Sequence, residues 1–485
     1  MNDQHNPEPE INKWIAPSVI LSGICWFLSG GLKGDSWFLM WIAPVPILIV
    51  AFYLPARKAF ALSYLAYLIG RISWFSYLIT VASLVAAIIF TLLVPLVFAL
   101  IAIGTRRIVL NTKFHLGIFA FPVFFTTYEF LLICLSSNGT AGSIAYSQAD
   151  FLPLIQIASI TGILGITFIV TLIPSILAVG WFHHSEKSRF PKAFFLATVV
   201  AFLVSLYGVI HIRQKVEKKY FTAGLVVLDE SLHYVTDHPV PADELNTVRI
   251  YTDSISRLAE KGAKIVVLPE RAFNVNQETE TGIRQLLAGT AMKNHVFIVT
   301  GYTNFKTVPA RNSAMVIDTS GNIICDYNKN HLVIGFEDQF EPGNNTGLFA
   351  FNRIKAGLAI CKDLDFPEHL RKYARPGTEI ICIPAWDFVA DDWLHSRMAI
   401  LRGVENGFSE VRTARLGRLT ISDCYGRVSK EASVAHKKGV TLLGEVSVSK
   451  KRTMYSRYGE WFGILNAFAA IAFIGVAIKN SLRKA

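Results

Sequence analysis

The sequence predicts an α-helical membrane bundle of eight spans joined to an α/β domain. Three observations lead there. Of 485 residues, 52% are hydrophobic and the mean hydropathy is +0.40, more apolar than a water-soluble chain of this length. The apolar residues gather into runs close to the ~20 residues that cross a bilayer as a helix. Between residues 220 and 455 the composition becomes that of a globular domain, with short continuous apolar runs between amphipathic stretches, the pattern of a layered α/β core.

The spans are read in order as 14–32, 37–54, two helices within 59–104 with a turn near Ser73 to Tyr77, 114–135, 153–182, 193–212 and 463–479. This divides the chain into a seven-span region, 1–219, a globular domain, 220–455, and a last helix with its tail, 456–485. No cleavage-site pattern follows the first run, so it reads as an anchor.

The formal charge of +11 is unevenly placed: +7 over 1–219, +1 over 220–462 and +3 over 463–485. The excess flanks apolar segments and the globular part is near neutral, which fits membrane topology and not a nucleic-acid footprint. With the N-terminus inside, the inner segments hold Lys13, Arg57, Lys58, Arg106, Arg107, Lys113, Lys187, Arg189, Lys192, Lys479, Arg483 and Lys484, and the short outer loops only Lys33 and Arg71. The globular domain is then expected outside. Arg213, Lys215, Lys218 and Lys219 oppose this, but charges before a long translocated domain weigh less. The six cysteines (25, 134, 325, 361, 382 and 424) show neither a disulfide framework nor metal-ligand spacing. No metal or cofactor is expected.

Within 220–455, FTAGLVVL, AKIVVLPE, HVFIVTGYT, KAGLAIC and TEIICIPA read as strands, NSAMVIDTSGNIICDYN as a hairpin turning at Ser320-Gly321, and 242–261, a stretch from about Pro367, and 392–406 as helices. Glu270 ends one run, Lys329 follows the hairpin and Cys361 ends another. A carboxylate, an ammonium and a thiol make a coherent set for acyl transfer: the acid takes the thiol proton, the thiolate attacks a carbonyl and the ammonium stabilises the oxyanion. Each also has a structural reading, as a helix-start acid, a solvated loop lysine and a buried core cysteine. Glu129, in the fifth span, is open to a functional or a structural reading. Trp386, Phe388 and Trp393 are open between a lipid cleft and packing.

VVLPE, YNKNHL and CKDLDFPEHLR, in this order, resemble the nitrilase (carbon–nitrogen hydrolase) superfamily over residues 222–450, and MAILRGVENG resembles one of its helices. AYSQADFLPLIQIASITGILGITFIV, NKNHLVIGFE and YSRYGEWF extend the resemblance to the apolipoprotein N-acyltransferase family, across nearly the whole chain. The departures are Cys361-Lys362-Asp363 for Cys-Tyr-Glu, VIGFE for VPFGE, LPE for WPE, IPAWDF for NDAWFG and VVLDES for the QxN motif.

The resemblance implies a nitrilase-like αββα sandwich, a catalytic Glu270, Lys329 and Cys361, and supporting or substrate-binding roles for Glu337, Asp363 and Trp386. It implies an enzyme of the bacterial inner membrane with its catalytic domain on the periplasmic face. Such an enzyme moves an acyl chain from a phospholipid donor, through a cysteine thioester, to the N-terminal amine of a diacylated lipoprotein acceptor. The altered CKD motif keeps a membrane-anchored amidase as an alternative. A non-catalytic membrane scaffold is a third reading.

Overall fold

A computed structural model describes residues 8–30, 32–184, 189–214, 219–232, 240–448 and 451–482. Of the charges used to orient the chain, Lys187, Lys215, Lys218, Arg483, Lys484 and the Arg189 side chain lie outside the described residues. The chain forms two compact units, Met1–Ile212 with Glu460–Ala485, and Arg213–Gly459.

In the helical unit, seven helices among the described residues are long and apolar enough to cross a membrane: Ile11–Leu28, Ala56–Val81, Leu84–Asn111, Phe114–Leu135, Ile163–Phe182, Phe190–Ile212 and Trp461–Asn480. The stretch read as the second span differs. It holds a 3-10 turn, Trp37–Trp41, and a ten-residue helix, Pro44–Tyr53, half the length a bilayer needs. Pro44 sits in its first turn, where a missing N–H is tolerated, but proline cannot extend a helix backwards. The turn within 59–104 also moves. At Ile72–Trp74 there is only a 3-10 turn; the break falls before Leu84, where the Ser83 hydroxyl caps the next helix by accepting the Ala86 N–H at 3.1 Å. The 153–182 run is interrupted at Gly162, whose φ of +67° is open to glycine and strained for other residues.

Helix Ile163–Phe182 is the enclosed one, with 89% of its apolar window buried. The others turn large apolar side chains outward, among them Leu84, Leu100, Phe195, Phe202, Phe468 and Ile471, a surface suited to lipid. Close helix approach uses small residues: a Cβ on Gly70 would collide with Trp26. Glu129 accepts from the Ser143 hydroxyl (2.8 Å), the Ile144 N–H (2.8 Å) and the Thr167 hydroxyl (2.5 Å). It therefore ties the 143–144 loop to two helices, the structural one of its two readings.

The second unit contains two six-strand paths. Strands β1 (Lys219–Val227), β2 (Ile265–Val267), β3 (Asn274–Val275), β4 (Phe297–Asn304), β5 (Arg311–Ile317) and β6 (Ile323–Asn328) belong to the first sheet. Strands β7 (Gly347–Phe351), β8 (Ile354–Leu358), β9 (Ile380–Trp386), β10 (Ser409–Arg415), β11 (Arg418–Ser422) and β12 (Val428–Ser433) form the second. The last strand, β13 (Val440–Val448), returns to the first sheet. The orders are β13-β1-β2-β4-β5-β6, with β3 beside β4, and β12-β11-β10-β9-β8-β7.

Period-two alternation sorts the side chains. Leu225, Val227, Ile265, Val267, Ile380 and Cys382 enter one core shared by both sheets. Their neighbours Val226, Val266 and Leu268 turn to helices Pro241–Glu260 and Glu280–Asn294. Ile381 and Ile383 turn to the face that carries Pro367–Ala374 and Asp392–Asn406. The result is four layers, αββα.

Candidate active site

The reactive groups stand just past strand ends. Strand β2 stops at Val267 and Glu270 lies three residues on. Its N–H reaches the Ala385 carbonyl of β9 at 3.3 Å, so this turn is pinned to the second sheet. A Cβ on Gly301 would stand 2.6 Å from the Pro269 carbonyl and 2.7 Å from the Glu270 Cα; only glycine lets β4 pass so close. Strand β8 likewise stops at Leu358, so Cys361 does not end it as the sequence suggested. Cys361 opens a 3-10 turn, Cys361–Asp365, with φ +42°. A non-glycine residue in that region is strained and must be held by its surroundings.

Asp363 does much of the holding. Fully buried, it accepts from the Ile360 N–H (3.1 Å), the Asn330 N–H (3.1 Å), the His331 N–H (2.9 Å) and the Tyr327 hydroxyl (2.7 Å), and pairs with His331 Nδ1 at 2.9 Å. Burial would raise its pKa, but the His331 bond and the neighbouring imidazoles hold it below the usual carboxylate range. Asp363 thus joins the Cys361 turn to the loop that follows Lys329. It is fully buried, a placement that matches the supporting one of its two expected roles.

Lys329 is buried between two carboxylates. Its Nζ donates to Glu270 Oε1 at 2.7 Å and to Glu337 Oε2 at 2.8 Å. Asn312, on β5, repeats the bridge: its Nδ2 donates to Glu270 Oε1 at 2.6 Å and Glu337 Oε1 at 2.5 Å. Asn312 was not legible as a site residue, because nothing in the hairpin sequence marks which strand face meets the two acids. The Val333 N–H adds a 2.8 Å bond to Glu337. An ammonium has three donors; two are committed here and the third has no acceptor among the described residues. Glu270 Oε2 is buried with no hydrogen-bond partner.

The two acids separate electrostatically. Burial, with Glu337 adding to it, raises the Glu270 pKa despite the pull of Lys329. Burial would raise Glu337 too, but Lys329 outweighs it and the net shift is downward. Burial would lower Lys329, but Glu270 and Glu337 hold it well above its usual value. The pair therefore splits: Lys329 holds Glu337 in its charged form, while burial raises the proton affinity of Glu270. The Cys361 thiol is pushed well above its ordinary pKa, first by burial and then by Glu270. It rests protonated, its Sγ donating to the Trp386 carbonyl at 3.5 Å.

Trp386 is thus a backbone partner of the thiol. Its indole lies between guanidinium groups, 3.9 Å from Arg415 and 5.3 Å from Arg271, a cation–π stack that fixes it. Asp387, next in sequence, is clamped by Arg412 at 2.9 and 2.5 Å. Trp393 is buried beneath Arg397, so it serves packing. Phe388 meets Phe336 edge-on at 5.4 Å. Ile334 and Phe336, both exposed, give the Glu337 loop an apolar lip.

Residues 234–451 match the carbon–nitrogen hydrolase family, and residues 22–176 match the apolipoprotein N-acyltransferase N-terminal domain. The two lie in one chain in that family's order. The chain belongs to the apolipoprotein N-acyltransferase family. Members similar to it over nearly their whole length include the apolipoprotein N-acyltransferase of Geobacter metallireducens, 26% identical over 96% of this chain and 95% of that one. That of Haemophilus ducreyi is 25% identical over 95% of this chain and 97% of its own. Among solved structures, an amidase from Nesterenkonia sp. aligns with 49% of this chain and 92% of its own, at 20% identity and a TM-score of 0.41. Its several long apolar helices make this a multi-pass membrane protein.

Proposed function

We propose that this membrane N-acyltransferase of lipoprotein maturation takes an acyl chain from a phospholipid and delivers it, through a thioester on Cys361, to the N-terminal amine of a diacylglyceryl-cysteine lipoprotein. The observation that carries the chemistry is Lys329, clasped by Glu270 and Glu337 at 2.7 and 2.8 Å with one N–H left over. Glu270 takes the Cys361 proton, and sulfur attacks the ester carbonyl. The spare Lys329 N–H stabilises the oxyanion. Collapse breaks the C–O bond, Glu270 returns the proton to the leaving lysophospholipid, and a thioester remains. The amine then attacks the thioester carbonyl. Glu270 takes the amine proton and hands it to the departing Cys361 sulfur.

The exposed apolar lip of Ile334 and Phe336 suits an acyl chain better than a small polar amide. The transferase and the amidase differ in the second nucleophile. Purified protein given phospholipid and no amine is expected to hold a mass adduct on Cys361 and to release about one lysophospholipid per chain, the single turnover of a covalent catalyst. A diacylated lipopeptide with a free N-terminal amine then discharges it to an N-acyl product. Steady release of fatty acid without acceptor, and no N-acyl peptide on its addition, would falsify the transferase reading.

The short-loop charges support a catalytic domain outside the cytoplasmic membrane with both termini inside, a topology that needs the shorter apolar stretch Trp37–Tyr53 to cross as an eighth span beside the seven long helices. A reporter active only in the cytoplasm is expected to give signal when fused after Ala485 and none when inserted beside Asn345. The opposite pattern reverses the topology.

A further inference from the structure

The Tyr455–Tyr458 segment, which resembles the family's entry into the last helix, takes no part in the chemistry above. It lines a recess of about 660 Å³ whose walls include Arg375, Arg452, Met454, Arg457 and Tyr458, a size within the range of ligand pockets. The arginines come from two places, the end of helix Pro367–Ala374 and the segment that follows β13. Arg371 stands beside them. A Cβ on Gly459, which has φ +64°, would occupy its guanidinium, and its Nε is buried without a hydrogen-bond partner. Among the described residues, none of these four arginines forms an ion pair.

Four guanidinium groups that form no ion pair among the described residues repel one another and draw a counter-anion. Guanidinium forks match phosphate oxygens two at a time. Tyr458 and Met454 are 55% and 43% exposed, so the rim is apolar beside the positive wall. Tyr458 is also three residues before helix Trp461–Leu482, within about 10 Å of extended chain. Positive wall, apolar rim and proximity to a span together describe the surroundings of a phospholipid headgroup better than those of a soluble acidic peptide.

We propose that this recess holds the phosphate of a phospholipid headgroup at a site separate from Glu270, Lys329 and Cys361. It rests on Trp461–Leu482 being a membrane helix and not on the acyl-transfer reading. The site also accounts for arginines placed close before the last span, on the side where the charge bias disfavours them.

The test measures phosphatidylglycerol binding to the full chain in detergent by native mass spectrometry. A Cys361→Ala background keeps lipid from being consumed, so the result is independent of turnover. Arg375→Gln/Arg452→Gln/Arg457→Gln, all at exposed positions, is expected to weaken the tightest site about tenfold or more, given what each basic residue contributes at an anionic surface. Lys261→Gln/Lys264→Gln/Lys293→Gln removes equal charge beside the helices of the first sheet and is expected to leave binding within about twofold, since exposed charges beyond a Debye length are screened. In protein with the arginines intact, neither diacylglycerol of the same chain length nor millimolar inorganic phosphate displaces the lipid. Equal weakening in both triple variants, or in neither, overturns the proposal. So does displacement by diacylglycerol, which would mark an acyl-chain site, by inorganic phosphate, which would mark a free-anion site, or by an acidic peptide.

Discussion

Glu270→Gln is expected to slow thioester formation on Cys361 by about 10²–10⁴, the contribution of a positioned general base, with the fold retained. The retained fold follows from which oxygen is used. Glu270 Oε1 accepts from both Lys329 and Asn312, and a glutamine carbonyl can do the same. The amide nitrogen then replaces Oε2, the oxygen with no partner. What is lost is the group that takes the proton. That loss matters because the Cys361 thiol is held well above its ordinary pKa by burial and by Glu270, so no standing thiolate is available to bypass the base.

The pH dependence follows with the same sign. The rate climbs as Glu270 loses its proton, and burial places that step above the ordinary carboxylate range. Glu337→Gln removes the negative charge that adds to the rise and frees Lys329 to act on Glu270 alone, so the acid limb moves to lower pH. Stopped-flow acylation of Cys361 across pH, followed by mass, measures both. Full-rate acylation in Glu270→Gln would place the base elsewhere. An acid limb that stays put in Glu337→Gln would mean the two carboxyls do not share the ammonium's field.

The strands that lead to Glu270 and Cys361 were legible because each is a short apolar run, and the approach to Lys329 because a hairpin with a Ser-Gly turn precedes it. Helix 392–406 was legible to the residue, since its apolar face and polar flanks agree. The strand ends were less so. Glu270 and Cys361 each lie three residues beyond the last paired residue, where the positive φ of Arg271 and Cys361 redirects the chain, and no composition announces that. Asp363 beside a nucleophile reads as a chemical group, yet a tight turn swings it inward to collect backbone donors. Asn312 had no signal, since its partners lie 42 and 25 residues away in sequence. In the helical unit, apolarity located the segments but not their breaks. Pro44, Ser83 and Gly162 set those through missing donors, a cap and backbone freedom.

Lys329→Met is expected to slow acylation by about 10²–10³, the scale of one oxyanion donor, and also to destabilise the second unit by about 3–5 kcal/mol, the cost of breaking a buried pair from one side. Both effects come from one atom. Nζ is the counter-charge of Glu270 and Glu337, each nearly inaccessible to solvent, and in the proposed mechanism its remaining N–H meets the oxyanion. Methionine fills the volume but leaves two buried carboxyls 2.6 and 2.5 Å from the same Asn312 nitrogen, with no cation between them. The roles separate in a second variant. Adding Glu337→Gln to Lys329→Met removes the acid that depended most on the ammonium, so most of the melting temperature returns. The rate does not, because the oxyanion still lacks its donor. Thermal unfolding and single-turnover acylation of the single and double variants decide it. Recovery of rate together with stability would make Lys329 a scaffold for the two acids and assign the oxyanion to other donors. An unshifted melting temperature in Lys329→Met would show that the carboxyls shed their charge by protonation and need no ammonium to stay buried.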